Sequence, residues 1–185
     1  MLVSPSPAPT DAAAPDLPAS LEAFLAGIGT RAFRFAEAGL RQREDALDAV
    51  QDTMERMLGY ADRPAGEWTP LFWSILRRRI IDVQRRSNFR LRFWAPATTG
   101  DQDDIDWADQ GPGPAEQQEQ QQQYARLVQA LRTLPARQRE AFTLRVLQEL
   151  DVAITATVMG CSEGSVKTHL SRARDALQQQ LESSP

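Results

Sequence analysis

Apolar positions along this chain repeat at intervals of three and four, the period of a helix face, so the expected fold is all-α. Leu21, Phe24, Leu25, Ile28, Phe33 and Phe35 predict a first helix, broken or bent around Gly27 and Gly29. Over residues 43–60 the stripe Leu47, Val50, Met54, Met57 and Leu58 predicts a second, uninterrupted by glycine or proline before Gly59. A loop with Pro64 and Gly66 follows. Thr69 is then expected as the N-cap and Pro70 as the first residue of a third helix, whose core spacing is Phe72, Leu76, Ile80 and Val83. Two more helices, at 124–134 and 135–150, would turn Leu127, Leu131, Leu134, Phe142, Val146, Leu147 and Leu150 inward.

The stretch 151–174, DVAITATVMGCSEGSVKTHLSRAR, predicts two helices around a tight turn. Ala156, Gly160 and Val166 stand four and six apart, as a helix-turn-helix requires. The small residue lets the helices cross closely, the glycine supplies a positive φ, and the valine locks the second helix against the first. Asp151 is placed to cap the first helix and Ser162 the second, and Glu163 suits the positive end of the second helix dipole. Val166, Leu170, Ala173, Leu177 and Leu181 form one apolar stripe, while Lys167, Thr168, Ser171, Arg172 and Arg174 fall mostly off it. A packed back and a basic, hydroxyl-bearing front suit the major groove. An ordinary amphipathic hairpin would share the stripe, but not the Ala/Gly/Val spacing and the cap together.

Charge then divides the chain. A net charge of −4 and a pI near 5.1 exclude a uniformly basic nucleic-acid binder. The distribution is uneven: residues 71–94 carry 7 basic side chains and 1 acidic one, and residues 95–123 carry 7 acidic and none basic. Residues 1–19, rich in Pro, Ala and Ser, are expected to be a disordered tail. The acidic 95–123, with Gly111, Pro112, Gly113 and Pro114 ahead of a glutamine run that could start a helix, is expected to be a flexible linker. Two small helical modules remain, 20–94 and 124–185.

In the first module, Arg77, Arg78, Arg79, Arg85, Arg86, Arg90 and Arg92 surround the core stripe. Asp82 can pair with Arg78 and Arg86 at i±4, but one acid does not neutralise seven arginines, and a phosphate backbone is the expected counter-surface. Trp68 and Trp73 fit a hydrophobic staple; Trp68, at a loop–helix junction beside arginines, also suits stacking on an unpaired base. Asp45, Asp48, Asp52 and Glu55 form an acidic stripe, either simply solvated or a docking face for a basic partner. Helical carboxylates without a histidine or an ordered loop do not suggest a metal. The lone cysteine, Cys161, excludes an internal disulfide and fits packing in the turn and a reducing compartment, so the cytoplasm is expected. There is no run of 18 apolar residues and no signal-peptide pattern. The only histidine, His169, lies on the second helix of the turn motif. No nucleophile, phosphate loop or metal spacing suggests an enzyme, and no cofactor is expected.

Taken together, an acidic helix, an arginine helix and a helix-turn-helix resemble an extracytoplasmic-function sigma factor of the sigma-70 family. EDALDAVQDTMERML looks like region 2.2, IIDVQRR like the end of region 2.4, and LPARQREAFTLR with GCSEGSVKTHLSRAR like region 4. The resemblance implies a non-catalytic protein, a monomer when free, whose partners are the clamp and flap of bacterial core RNA polymerase, promoter DNA and an anti-sigma protein. It implies clamp contacts at Asp45, Asp48, Gln51 and Asp52, and −35 readers at Ser165, Lys167, Thr168, His169, Ser171 and Arg172. Contacts to the −10 element and its phosphates would fall to Trp68, Phe72, Trp73, Arg78, Arg79, Arg85 and Arg86. The family's frequent WLxxIARN run appears here as LFWSILRR, with Leu71 in place of Trp and Arg78 in place of Asn. In region 4, Ile154 stands for an acidic residue and Thr155 for an apolar one, which predicts a shifted packing of the motif's first helix. The acidic linker would thread the polymerase's nucleic-acid path. The alternative from another class is a conventional helix-turn-helix regulator, dimeric on duplex DNA without polymerase.

Overall fold

The computed structural model describes residues 17–93 and 114–182, with side chains for 17–87, 121–180 and 182. Seven α-helices are found there: α1 Leu21–Gly39, α2 Arg43–Leu58, α3 Ala65–Phe93, α4 Pro114–Thr133, α5 Ala136–Phe142, α6 Val152–Met159 and α7 Glu163–Glu182. The described residues contain no strand. Residues 1–16 of the expected tail, Trp94 of the first module and 95–113 of the expected linker lie outside the described residues, as do the side chains of Arg90, Arg92 and Leu181. The glutamine run 117–123 is helical backbone within α4.

Three elements differ from the sequence pattern. α1 is unbroken through Gly27 and Gly29: Ser20 caps it by accepting from the Ala23 N–H, and the face Ile28, Ala32, Phe35 and Ala36 is buried. Each glycine costs about 1 kcal/mol of helix propensity, which burial of that face outweighs. Gly29 also lies against α2, where an added Cβ would sit 3.4 Å from the Met54 terminal methyl. Second, α3 starts at Ala65 rather than after Thr69, with Pro70 inside the helix. Third, α2 buries Ala46, Ala49, Val50, Thr53 and Met57, whereas Leu58 is 63 % exposed. The buried face uses small residues because α1 and α3 both pack on this helix.

In the second module a π-helical turn, Thr143–Leu147, follows α5, closed by the Gln148 N–H donating to the Thr143 carbonyl at 2.9 Å. One extra residue in a turn rotates the pattern, so Leu144 is buried and the expected core residue Val146 is exposed. Arg132 and Arg137 cap neighbours: Arg132 donates to the Glu37 and Leu40 carbonyls at the end of α1, and Arg137 to the Met159 carbonyl at the end of α6.

The two modules are not separate bodies. One buried cluster joins Phe35, Met57, Phe72, Trp73 and Leu76 with Leu144, Leu150, Val158, Met159 and Val166, and α6 packs on α3. A second cluster sets Ala38 of α1 among Leu131, Leu134, Ala173 and Leu177.

Candidate nucleic-acid interface

The turn motif is built as its spacing predicts. Asp151 Oδ1 accepts from the Ile154 N–H at 2.6 Å, capping α6. Gly160 sits at φ 62°, ψ 48°, with its N–H on the Thr157 carbonyl, and the Cys161 N–H reaches the Ala156 carbonyl at 3.1 Å. This pair of bonds is a Schellman ending, which needs a left-handed residue at the glycine. Ser162 Oγ accepts from the Ser165 N–H at 3.2 Å and caps α7. Thr155 is fully buried, and its hydroxyl donates to the Asp151 carbonyl at 2.7 Å, so a polar side chain fits an apolar site without an orphaned group.

On α7, Val166 and Ala173 are fully buried, so the helix rotates its other side outward. Lys167, Thr168, Ser171, Arg172 and Arg174 are exposed, and Ser165 and His169 half-buried. The Thr168 hydroxyl donates back to the Gly164 carbonyl, and Ser165 Oγ is 2.9 Å from Ser162 Oγ, so both hydroxyls are engaged locally. Among the described residues Lys167, Arg172 and Arg174 form no ion pair.

The arginine helix α3 is spent differently. Arg77 Nε lies 3.1 Å from Glu140 Oε2 of α5, both side chains largely buried, and Arg79 Nη2 lies 2.5 Å from Asp52 Oδ2 of α2. Arg78, Arg85 and Arg86 are exposed. Among the described residues, no ion pair joins Asp82 to Arg78 or Arg86.

The aromatic residues proposed for unpaired bases lie in the core. Phe72 and Trp73 are fully buried and Trp68 is 6 % exposed. Trp73 meets Phe35 and Phe72 edge-on at 5.3 and 5.6 Å, and Trp68 contacts Phe24 rather than forming a staple with Trp73. Periodicity could not separate these roles, because a ring on an arginine-rich helix satisfies either one. Sequence reasoning passed over Tyr60, which is exposed in the loop joining α2 to α3, with exposed Arg63 beside it. Its only signal was an aromatic residue just past the helix-ending Gly59.

On α2, Asp48 and Gln51 are exposed and Asp45 half-buried, with the Gln51 amide donating to Glu55 at 3.1 Å. Asp52 is the member already paired, with Arg79. No group of three or more His, Cys, Asp or Glu that could hold a metal occurs among the described residues, and no described helix is long and apolar enough to cross a membrane.

The family model for sigma-70 region 4 matches residues 124–177, covering α4 from Tyr124 through most of α7. The chain is 36 % identical over 147 residues to the sigma factor BldN of Streptomyces coelicolor, described as an extracytoplasmic-function RNA polymerase sigma factor. The chain is thus similar to extracytoplasmic-function sigma factors of the sigma-70 family, with its second module matching region 4. The BldN match takes in 76 % of this chain but 52 % of BldN, so the chain spans about half the length of that relative. The sigma factor SigV of Bacillus subtilis is 27 % identical over 151 residues, 80 % of this chain and 83 % of SigV. Among solved structures, the sigma factor RpoE of Bartonella quintana, crystallised with the anti-sigma factor NepR, superposes with a TM-score of 0.67. At 23 % identity over 89 % of this chain and 98 % of that one, it supports the all-helical sigma fold.

Proposed function

We propose that this chain directs bacterial core RNA polymerase to promoters, with α7 reading the −35 element and the first module docking on the polymerase and holding the −10 element. The observation that carries it is the capped turn with α7 rotated so that Lys167, Ser171 and Arg172 face solvent, the two cations without an ion pair among the described residues, within the residues that match sigma-70 region 4. Arg172 is the side chain suited to a bidentate contact with a guanine edge; Lys167 serves a phosphate or an acceptor as a point charge. Thr168, His169 and Ser165 contribute at the rim.

On the first module, Arg78, Arg85 and Arg86 are the proposed phosphate contacts, and Arg79 joins them when its bond to Asp52 opens. Trp68, Phe72 and Trp73, buried on the same helix, hold α3 in place by packing. Tyr60, at the free end of the same module, is the proposed stacking ring for an unpaired base. Asp45, Asp48, Gln51 and Asp52 are the proposed clamp contacts. The setting is the cytoplasm, without cofactor, and an anti-sigma protein is a proposed partner, as NepR is for RpoE.

Run-off transcription with core polymerase, with and without the chain, on promoter-bearing genomic fragments tests this. Specific transcripts that depend on the chain are expected. A footprint on duplex DNA without polymerase, and no transcript, would replace the reading with a conventional helix-turn-helix regulator.

A further inference from the structure

Asp52 and Arg79 serve different halves of the function proposed above, yet they hold each other. Asp52 of α2 is among the proposed clamp contacts, and Arg79 of α3 among the proposed phosphate contacts. Arg79 Nη2 lies 2.5 Å from Asp52 Oδ2, with the Asp52 side chain 38 % exposed and that of Arg79 20 % exposed. The carboxylate thus stays open to whatever docks on α2, while the guanidinium is largely enclosed where α2 packs on α3. One ion pair occupies a charge from each surface.

The pair is also incomplete. The buried Arg79 Nε has no hydrogen-bond partner, so the contact lacks the side-on fork in which Nε and Nη2 both donate to one carboxylate. A buried N–H without an acceptor is a cost that a phosphate oxygen would remove once the side chain swings outward. Partly exposed pairs contribute little net stability, so a competing charged partner can open this one. Arg79 then has neighbours to join. It stands beside exposed Arg78 and, seven residues before exposed Arg86, two helical turns along the same face of α3. Asp52 likewise follows exposed Gln51 and lies one turn beyond exposed Asp48.

We propose that the Asp52–Arg79 pair couples the two binding surfaces of the first module: a cationic group of the polymerase that takes Asp52 releases Arg79 to the −10 phosphates. In the free chain the pair keeps both charges engaged and lowers affinity for DNA of any sequence. The coupling runs both ways, since a phosphate that takes Arg79 leaves Asp52 free for the polymerase. This role rests on the sigma-factor reading and involves α2 and α3 alone.

Arg79→Ala leaves Asp52 free, so the chain should bind core polymerase without DNA about threefold more tightly by fluorescence anisotropy. A pair that merely stabilised the module would give unchanged or weaker binding. The same substitution should weaken the holoenzyme on a transcribed promoter fragment about threefold or more, yet leave the free chain's affinity for a short mixed-sequence single-stranded DNA within about 1.5-fold. Asp52→Asn should act on that single strand instead. Binding should tighten about threefold, with a log–log salt slope steeper by about 0.7, and Asp52→Asn/Arg79→Ala should return it to wild type. Glu44→Gln removes an exposed acid from the first turn of the same helix. It should move the single-strand affinity by less, which separates the pair from a general loss of negative charge.

Core binding that does not tighten in Arg79→Ala would overturn the coupling. So would an Asp52→Asn gain that persists without Arg79, or that Glu44→Gln matches. If Asp52→Asn does not fold by circular dichroism, Arg79→Ala alone decides, through its opposite effects on core and on promoter. No transcript from any fragment would end the sigma-factor reading and the coupling with it. The single-strand measurements would still show whether Asp52 masks Arg79.

Discussion

Helices α3 and α7 carry similar sequence signals, an apolar stripe with basic residues around it, and the fold uses them in opposite ways. On α7 the stripe is covered on one side only, and Lys167, Arg172 and Arg174 are left exposed without ion pairs among the described residues. On α3 the buried sector is wider: Trp68, Phe72, Trp73, Leu76 and Ile80 are all in the core, and two of the arginines are held by acids of other helices. Charge on a helix is therefore not the same as charge available to a ligand. Availability depends on which side chains the packed neighbours present: α3 meets Asp52 of α2 and Glu140 of α5, whereas α4, α5 and α6, packed on α7, set no acid in an ion pair with Lys167, Arg172 or Arg174 among the described residues.

The largest effect that would test this contrast is on the buried side of α3. Trp73→Ala should cost about 3–5 kcal/mol in urea unfolding, since it removes a fully buried ring held between Phe35 and Phe72. A loss below about 1 kcal/mol would mean that the ring is not a packing element and could serve a base after all. Next comes the front of α7. Arg172→Ala should reduce −35 discrimination by about 1–3 kcal/mol, read by fluorescence anisotropy on duplexes changed one base pair at a time. Its unfolding midpoint should stay put, as expected for an exposed side chain; a falling midpoint with selectivity intact would move Arg172 from reading to packing.

A smaller effect is expected where the motif is merely held in place. Asp151→Ala should lower stability by about 1 kcal/mol through loss of the α6 cap, and weaken −35 binding evenly across sequences rather than at one base pair. The smallest effect separates exposed arginines from engaged ones. Arg78→Ala should make the log–log salt dependence of promoter-complex binding shallower by about 0.9, while Arg79→Ala, whose charge is shared with Asp52, should change it by less. Equal slopes for the two would erase the distinction drawn between free and paired arginines on this helix.

The caps and the turn could be read from the chain because each is a local event. Asp151, Gly160 and Ser162 act on backbone groups within a few residues of themselves, so their spacing alone specifies the outcome. The all-helical class and the outward face of α7 follow from periodicity in the same way. Where the tertiary structure decided, the controlling neighbour was distant in sequence or a register shift intervened. α1 runs through two glycines because α2 and α3 cover its apolar face, and Leu58 and Val146 are exposed although their apolar character placed them inside. The burial of Trp68, Phe72 and Trp73 depends on Phe24 and Phe35, some forty residues earlier, which composition and local spacing do not report. The pairing of Arg77 with Glu140 and of Arg31 with Gln148 joins two modules that the sequence shows only as separate helical stretches around an acidic segment. Local hydrogen bonding and periodicity were thus written in the chain, whereas partner choice among like-charged or like-sized side chains was decided by which helices pack together.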